Sequence, residues 1–146
     1  MSKGEIAKNY FLSGYNCAQS VVLAFKDEVD MDETVLLKIA SSFGGGLGRL
    51  REVCGAVSGM AIILGLKYGY TDISNNDSKA EHYKRIQETV NLFKQKNGSF
   101  ICKELINQTP NGYVPEERTK EYYRKRSCGD LVFDVAEILE DYIKNN

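Results

Sequence analysis

Four cysteines, Cys17, Cys54, Cys102 and Cys128, are the residues of this 146-residue chain with the clearest chemical potential. A thiolate is a nucleophile, a reductant and a soft metal ligand, whereas a buried protonated thiol behaves as a small inert hydrophobe. The four are widely spaced and contain no C-x-x-C, so neither a thioredoxin-type pair nor a zinc knuckle follows from local spacing. What they share is position. Each falls at, or within about one turn of, the start of a predicted helix, where unpaired amides and the positive end of the helix dipole favour an anion. The dipole contributes roughly 0.3–1 kcal/mol at an exposed site, or one pKa unit at most. From a reference near ~8.5, a one-unit drop takes the thiolate fraction at pH 7 from about 3% to about 24%. Arg49 and Arg51 are candidates to add to this field at Cys54, and the Arg124 to Arg126 cluster at Cys128. Burial in apolar surroundings opposes both.

The elements that must position these thiols follow from hydrophobic periodicity. Ile6, Ala7, Tyr10 and Phe11 share one face of a helix over 3–12, which Ser13-Gly14-Tyr15 ends. Asn16 is the expected N-cap of a second helix, opening with Cys17 and carrying Ala18, Val21, Val22 and Phe25 to about Lys26. Asp32 caps a third, with Val35, Leu36, Ile39, Ala40 and Phe43 expected to face inward. A surface loop is expected from Thr71 to Ser78, followed by an amphipathic helix over Lys79 to Lys96 that buries Tyr83, Ile86, Val90 and Phe93. Ser99 reads as the cap of a short helix holding Cys102 and reaching about Gln108. Thr109 to Glu117, with both prolines, is a connection, and Ser127 is the expected cap of a final helix with Leu131, Val132, Val135, Ala136, Leu139 and Ile143 inside.

The stretch from Phe43 to Tyr68, FGGGLGRLREVCGAVSGMAIILGLKY, organises the rest. Val53 to Leu66 is uncharged but too short to span a bilayer comfortably, so it is expected to be a buried central helix. Gly55 and Gly59 lie one turn apart and let a neighbouring helix approach. Gly44, Gly45, Gly46 and Gly48 permit positive φ and close backbone approach. A phosphate-cradling loop uses the same properties, but this run follows a helix and lacks both G-K-[ST] and a complete G-x-G-x-x-G, so a corner leading into the central helix is preferred.

The chain is long enough for one domain, 1–146, with a core needing no staples. No strand pattern or internal repeat competes with the helices, so the fold is expected to be an all-α, single-domain bundle of about six to seven helices around the buried central one. A net charge of −1 gives no global reason to bind nucleic acid or an anionic membrane. The tyrosine-interleaved basic run Arg118–Arg126 is read as a solvated face or a local field on Cys128. The polar N-terminus does not read as a signal peptide, so a cytoplasmic address, reduced thiols and no membrane insertion are expected. His82, the single histidine, has no visible partner and is assigned a solvated or structural role.

The chain resembles the C-GCAxxG-C-C family, small bacterial and archaeal proteins named for four cysteines, from which a redox role is inferred. The resemblance rests on Gly14-Tyr15-Asn16-Cys17-Ala18-Gln19, Phe43-Gly44-Gly45-Gly46-Leu47-Gly48, Cys54-Gly55-Ala56-Val57-Ser58-Gly59, and the single cysteines Cys102 and Cys128. It spans Cys17 to Cys128, with the motif around Cys54 reading Cys-Gly, not the Gly-Cys of the family name. It implies a redox role and carries over no substrate.

Three functions compete. The first is a thiol/disulfide redox protein with Cys17, Cys54, Cys102 and Cys128 as catalytic candidates, Cys17 being the first choice as partner of Cys54 and Cys102 and Cys128 forming a second pair or resolving thiols, with all three pairings of four cysteines left open by the sequence. It needs no cofactor, and its partner is a redox protein or a small thiol. The second is a zinc or iron–sulfur site using all four thiolates. The third is a helical binding module whose cysteines are core residues. Sulfur positions in the folded chain separate them.

Overall fold

The computed structural model describes residues 1–146. Eight α-helices follow in order: α1 (Lys3–Leu12), α2 (Cys17–Ala24), α3 (Glu33–Ser41), α4 (Gly55–Tyr68), α5 (Asn76–Asn97), α6 (Cys102–Ile106), α7 (Lys120–Lys125) and α8 (Cys128–Lys144). A short 3-10 turn, Lys26–Glu28, follows α2. The expected all-α class is observed. The extra helix is α7, which forms inside the basic run where no helix was expected. Thr119 caps it by accepting from the Tyr122 amide at 3.1 Å.

Capping chemistry accounts for where the chain enters its helices. Asn16 Oδ1 accepts from the Gln19 amide at 2.8 Å while Gln19 Oε1 accepts from the Asn16 amide at 3.2 Å, a reciprocal capping box. The Asn16 amide group also donates to the Ser41 carbonyl, tying the entrance of α2 to the end of α3. Asp32 caps α3 as expected. α5 begins at Asn76 because Asn75 accepts from the Ser78 amide, shortening the loop expected up to Ser78. One expected cap is displaced and another makes no side-chain bond. Ser99 lies ahead of α6 and accepts from the Ile101 amide, and α6 ends at Ile106, where Asn107 turns left-handed. Ser127 holds the cap position of α8 without a side-chain bond.

The core is one cluster of 22 buried residues, and α4 is its middle. α4 packs against α2, α3, α5 and α8, and Ala56, Met60, Ile63 and Leu64 are inaccessible. Gly59 permits the closest approach: a Cβ there would stand 2.8 Å from the Ala18 carbonyl oxygen and 3.0 Å from Val21 Cβ. α1 and α8 pair along Ala7, Phe11, Val132, Val135 and Ala136, the stripe expected from the sequence.

Two inward faces differ from expectation. On α3 only Leu36 and Ala40 are buried, and Val35 and Ile39 are exposed because one side of this helix is left uncovered. On α5 the buried set is His82, Thr89 and Phe93, with Tyr83 half-exposed. The helix is rotated so that His82 packs on Tyr70, and its Nδ1 lies 3.0 Å from Arg85 Nη1. Burial and the Arg85 charge lower its pKa, which fits the structural role assigned to it. No helix is long and apolar enough to cross a membrane.

Candidate functional site

The four cysteines, 111 residues apart at the extremes of the sequence numbering, line one cavity of about 300 Å³. Three helix starts deliver three of them: Cys17 opens α2, Cys102 opens α6 and Cys128 opens α8. Cys54 is the N-cap of α4, one residue outside the helix. Cys17 is half-buried, whereas Cys54, Cys102 and Cys128 are 4%, 7% and 6% exposed.

The glycine run shapes the wall. Gly45, Gly46, Leu47, Gly48 and Arg49 have φ of 68°, 73°, 69°, 55° and 67°, so five successive residues coil left-handed. Such a coil costs a residue with a Cβ about 1–2 kcal/mol, which explains the glycines and leaves Leu47 and Arg49 strained. Hydrogen bonds from the amides of Arg49, Arg51 and Glu52 to the carbonyls of Gly44, Gly45 and Gly46 fix it. The corner is therefore a defined turn. Beyond it, the chain makes one isolated antiparallel bridge between Val53 and Ile101. The Cys54 amide donates to the Phe100 carbonyl at 2.8 Å and the Cys102 amide to the Glu52 carbonyl at 2.6 Å, so this bridge pins Cys54 and Cys102 side by side. No hydrophobic periodicity signals so short a pairing.

Gly46 is where these constraints meet. A Cβ there would lie 2.7 Å from both Cys102 Cβ and the Glu52 amide nitrogen. Gly46→Ala is expected to cost about 2–4 kcal/mol, the left-handed penalty plus the clash, measured by urea unfolding. An unchanged midpoint would show that the wall is not packed this way.

Electrostatics separates the four thiols. Cys17 and Cys128 are neighbouring thiols, and their influence on one another acts oppositely on the two. It raises Cys17 well above the ordinary thiol range, reinforced by burial, and Cys17 keeps its proton. The Cys17 thiol beside it lowers Cys128 to about 6, against the opposing effect of burial and with help from the Arg126 and Arg51 guanidiniums. Arg126 Nη1 stands 4.0 Å from Cys128 Sγ. Cys54 goes the other way. Burial pushes it up to about 12, outweighing the influence of the Val57 and Ala56 amides at the start of α4. Cys102 is also raised by burial, partly offset by Arg51, whose Nη1 lies 3.7 Å from its sulfur.

Several sequence expectations change accordingly. The anion favoured at a helix start is Cys128, not Cys54, because desolvation of Cys54 exceeds anything two amides supply. Cys17 has Cys54 close by across Gly55, where an added Cβ would meet Cys17 Cβ at 3.2 Å, but the thiol that acts most strongly on it is Cys128 and not the Cys54 expected as its partner. Arg51 serves Cys102, not Cys54, and Arg49 reaches the far connection, donating to the Gly112 carbonyl and Asn111 Oδ1. Of the basic cluster only Arg126 contributes, since Arg124 and Lys125 are exposed and pair with Glu121.

The segment from Glu116 to Tyr122 adds groups whose places in the site sequence reasoning did not give. Glu116 pairs with Arg49 at 3.4 Å and closely with Arg126, and lies 4.0 Å from Arg51. Arg118 lines the cavity, donates to the Phe11 and Tyr15 carbonyls and stacks over the Phe11 ring at 4.3 Å. Tyr122 lies between the Arg118 and Arg126 guanidiniums, each 5.0 Å from its ring centre. Their only sequence signal is the alternation of arginine and tyrosine, which does not reveal what they face.

Four sulfurs lining one cavity are a donor set suited to zinc or iron. In the present arrangement, however, no three His, Cys, Asp or Glu side chains are grouped to hold a metal ion.

The family pattern described as "Putative redox-active protein (C_GCAxxG_C_C)" matches residues 15–142. The chain belongs to this family. Comparison with curated proteins and with solved structures gives no match. In this C_GCAxxG_C_C protein the family's name-giving cysteines are thus brought to one cavity by four separate helix starts, and the glycines of the motif are those on which the close approaches depend.

Proposed function

We propose that this protein is a thiol–disulfide redox protein whose working pair is Cys17 and Cys128. The observation that carries this reading is the pairing of a protonated and an ionisable thiol at the starts of α2 and α8, with Arg126 beside the second. Cys128 is the attacking group, because nucleophilicity toward sulfur belongs to the thiolate. Cys17 is the resolving group, half-buried and beside it. Attack by Cys128 on a disulfide R–S–S–R forms a mixed disulfide and releases one thiolate. Cys17 then loses its proton and attacks the Cys128 sulfur, releasing the second. The pair is oxidised by two electrons and the substrate gains two hydrogens, one from Cys17 and one from solvent.

The test is to oxidise the purified protein mildly, alkylate the remaining thiols and locate the new bond by peptide mass spectrometry. A Cys17–Cys128 disulfide with Cys54 and Cys102 alkylated is expected. Four alkylated cysteines after oxidation would end the proposal.

A second reading has one observation in its favour: all four thiols line the same cavity, as a four-thiolate zinc or iron–sulfur centre would require. It needs Cys54 and Cys102 to give up protons that burial holds in place, which a cation supplies by its own charge. Anaerobic purification followed by metal analysis separates the two, stoichiometric metal bound by wild type and lost in Cys54→Ser favouring the centre.

A further inference from the structure

The charge of the cavity wall is not matched by the thiols. Four arginines, Arg49, Arg51, Arg118 and Arg126, line the cavity, and Glu116 is the only carboxylate among its lining residues. Arg51 is 2% exposed, and its Nε has no hydrogen-bond partner. Its nearest carboxylate oxygen, on Glu116, is 4.0 Å away and is shared with Arg49. A buried guanidinium with an idle donor and a distant counter-ion is costly unless something else completes its shell. Glu116 shows which chemistry this set accepts: its carboxylate already holds Arg49 and Arg126. The planar fork of arginine suits a carboxylate, which takes two parallel N–H bonds.

Size narrows the class further. The Cys128 sulfur belongs to a residue only 6% exposed, inside a cavity of about 300 Å³, at the small end for ligand pockets. That space admits a small molecule more readily than a folded protein carrying a disulfide on its surface. We infer that the cavity contains a carboxylate subsite at Arg51, and that the thiol pair acts on a low-molecular-weight disulfide bearing a carboxylate. This rests on the thiol–disulfide reading above and names its substrate class. Atoms and electrons balance as in that exchange: the substrate S–S bond breaks, the Cys17–Cys128 bond forms, and two small thiols leave with their carboxylates.

The full chain, reduced, is mixed with dithiodiglycolate, which carries two carboxylates, or with uncharged hydroxyethyl disulfide, and formation of the Cys17–Cys128 bond is timed. Each rate is referred to that reagent's rate with a free small thiol. Wild type is expected to prefer the anionic reagent roughly tenfold, the scale of one charge-assisted contact. Arg51→Gln is expected to bring the preference close to unity. Because Arg51 is buried and its variant can fail to fold, Glu116→Gln is the second arm. Glu116 is partly exposed, and removing its competing charge is expected to raise the preference. Equal rates in wild type, or a preference that falls in Glu116→Gln, would overturn the subsite and leave the thiol reading standing. If neither reagent forms the Cys17–Cys128 bond, the thiol reading fails by itself. The subsite is then judged by binding to Cys17→Ser/Cys128→Ser protein, in which no exchange at the pair is possible. A rise in Tm with dithiodiglycolate and none with hydroxyethyl disulfide upholds the carboxylate site. No rise with either, or an equal rise with both, overturns it. Inorganic sulfate raising Tm more than dithiodiglycolate would assign the site to an inorganic oxyanion and overturn the carboxylate assignment.

Discussion

Cys128 is expected to react with a small disulfide at pH 7 about a hundredfold faster than Cys54, and the reason lies in two opposing effects. With a pKa of about 6, Cys128 is roughly nine-tenths thiolate at neutral pH. Cys54, at about 12, is thiolate in about one molecule in 10⁵. A more basic thiolate attacks faster, and a Brønsted slope of about 0.4–0.5 over some six units returns between two and three powers of ten. About two remain in favour of Cys128. Thiolate absorbance checks the assignment without needing reagent access: wild type should show a step centred near 6 that Cys128→Ser lacks. A step surviving that substitution would place the anion elsewhere.

The same shift has a signed effect on stability. The folded state depresses the Cys128 pKa, so the unfolded chain binds more protons there, and stability from this group is lost as pH falls from the ordinary thiol range through about 6. Cys17, Cys54 and Cys102 are raised, so their contribution is intact below the ordinary thiol range and is lost above it. Wild type should therefore lose more stability than Cys128→Ser between pH 9 and pH 6.

Gly59→Leu is expected to have a large effect on folding. α2 and α4 cross where Gly59 faces the backbone of Ala18, with no flexible side chain able to move aside. Overpacking of this kind costs roughly 3 kcal/mol, and about 10 °C in Tm for a domain of this size. Because the displaced helix begins at Cys17, the step in thiolate absorbance should also move toward the ordinary thiol range. A variant with wild-type Tm would mean that α2 and α4 do not meet at this glycine.

Most of the helical frame was legible in the sequence because it is written locally. The stripe on α8, the Asn16 cap and the uncharged run of α4 each depend on residues within a few turns of one another. The misread faces have a common cause. Periodicity says that a helix has an apolar side but not whether a neighbour covers all of it. Val35 and Ile39 therefore stay exposed on α3, and α5 presents His82 instead of Tyr83. The missed α7 depends on Thr119 as a cap and on Tyr122 packing between two arginines, neither of which gives an apolar stripe.

The amino-acid sequence by itself determined that this is an all-α chain, that its cysteines open helices, and that glycines at 46, 55 and 59 accompany them. Those are properties of caps, periods and residue types. Which thiol ionises, which thiol it faces and which arginines surround it were decided only by the tertiary structure. Two helix starts bring Cys17 and Cys128 together across 110 intervening residues, and burial overrides the amides at Cys54. The helix dipole acts alike on every helix start. Desolvation and neighbouring charge differ from one start to the next, and both outweigh the dipole.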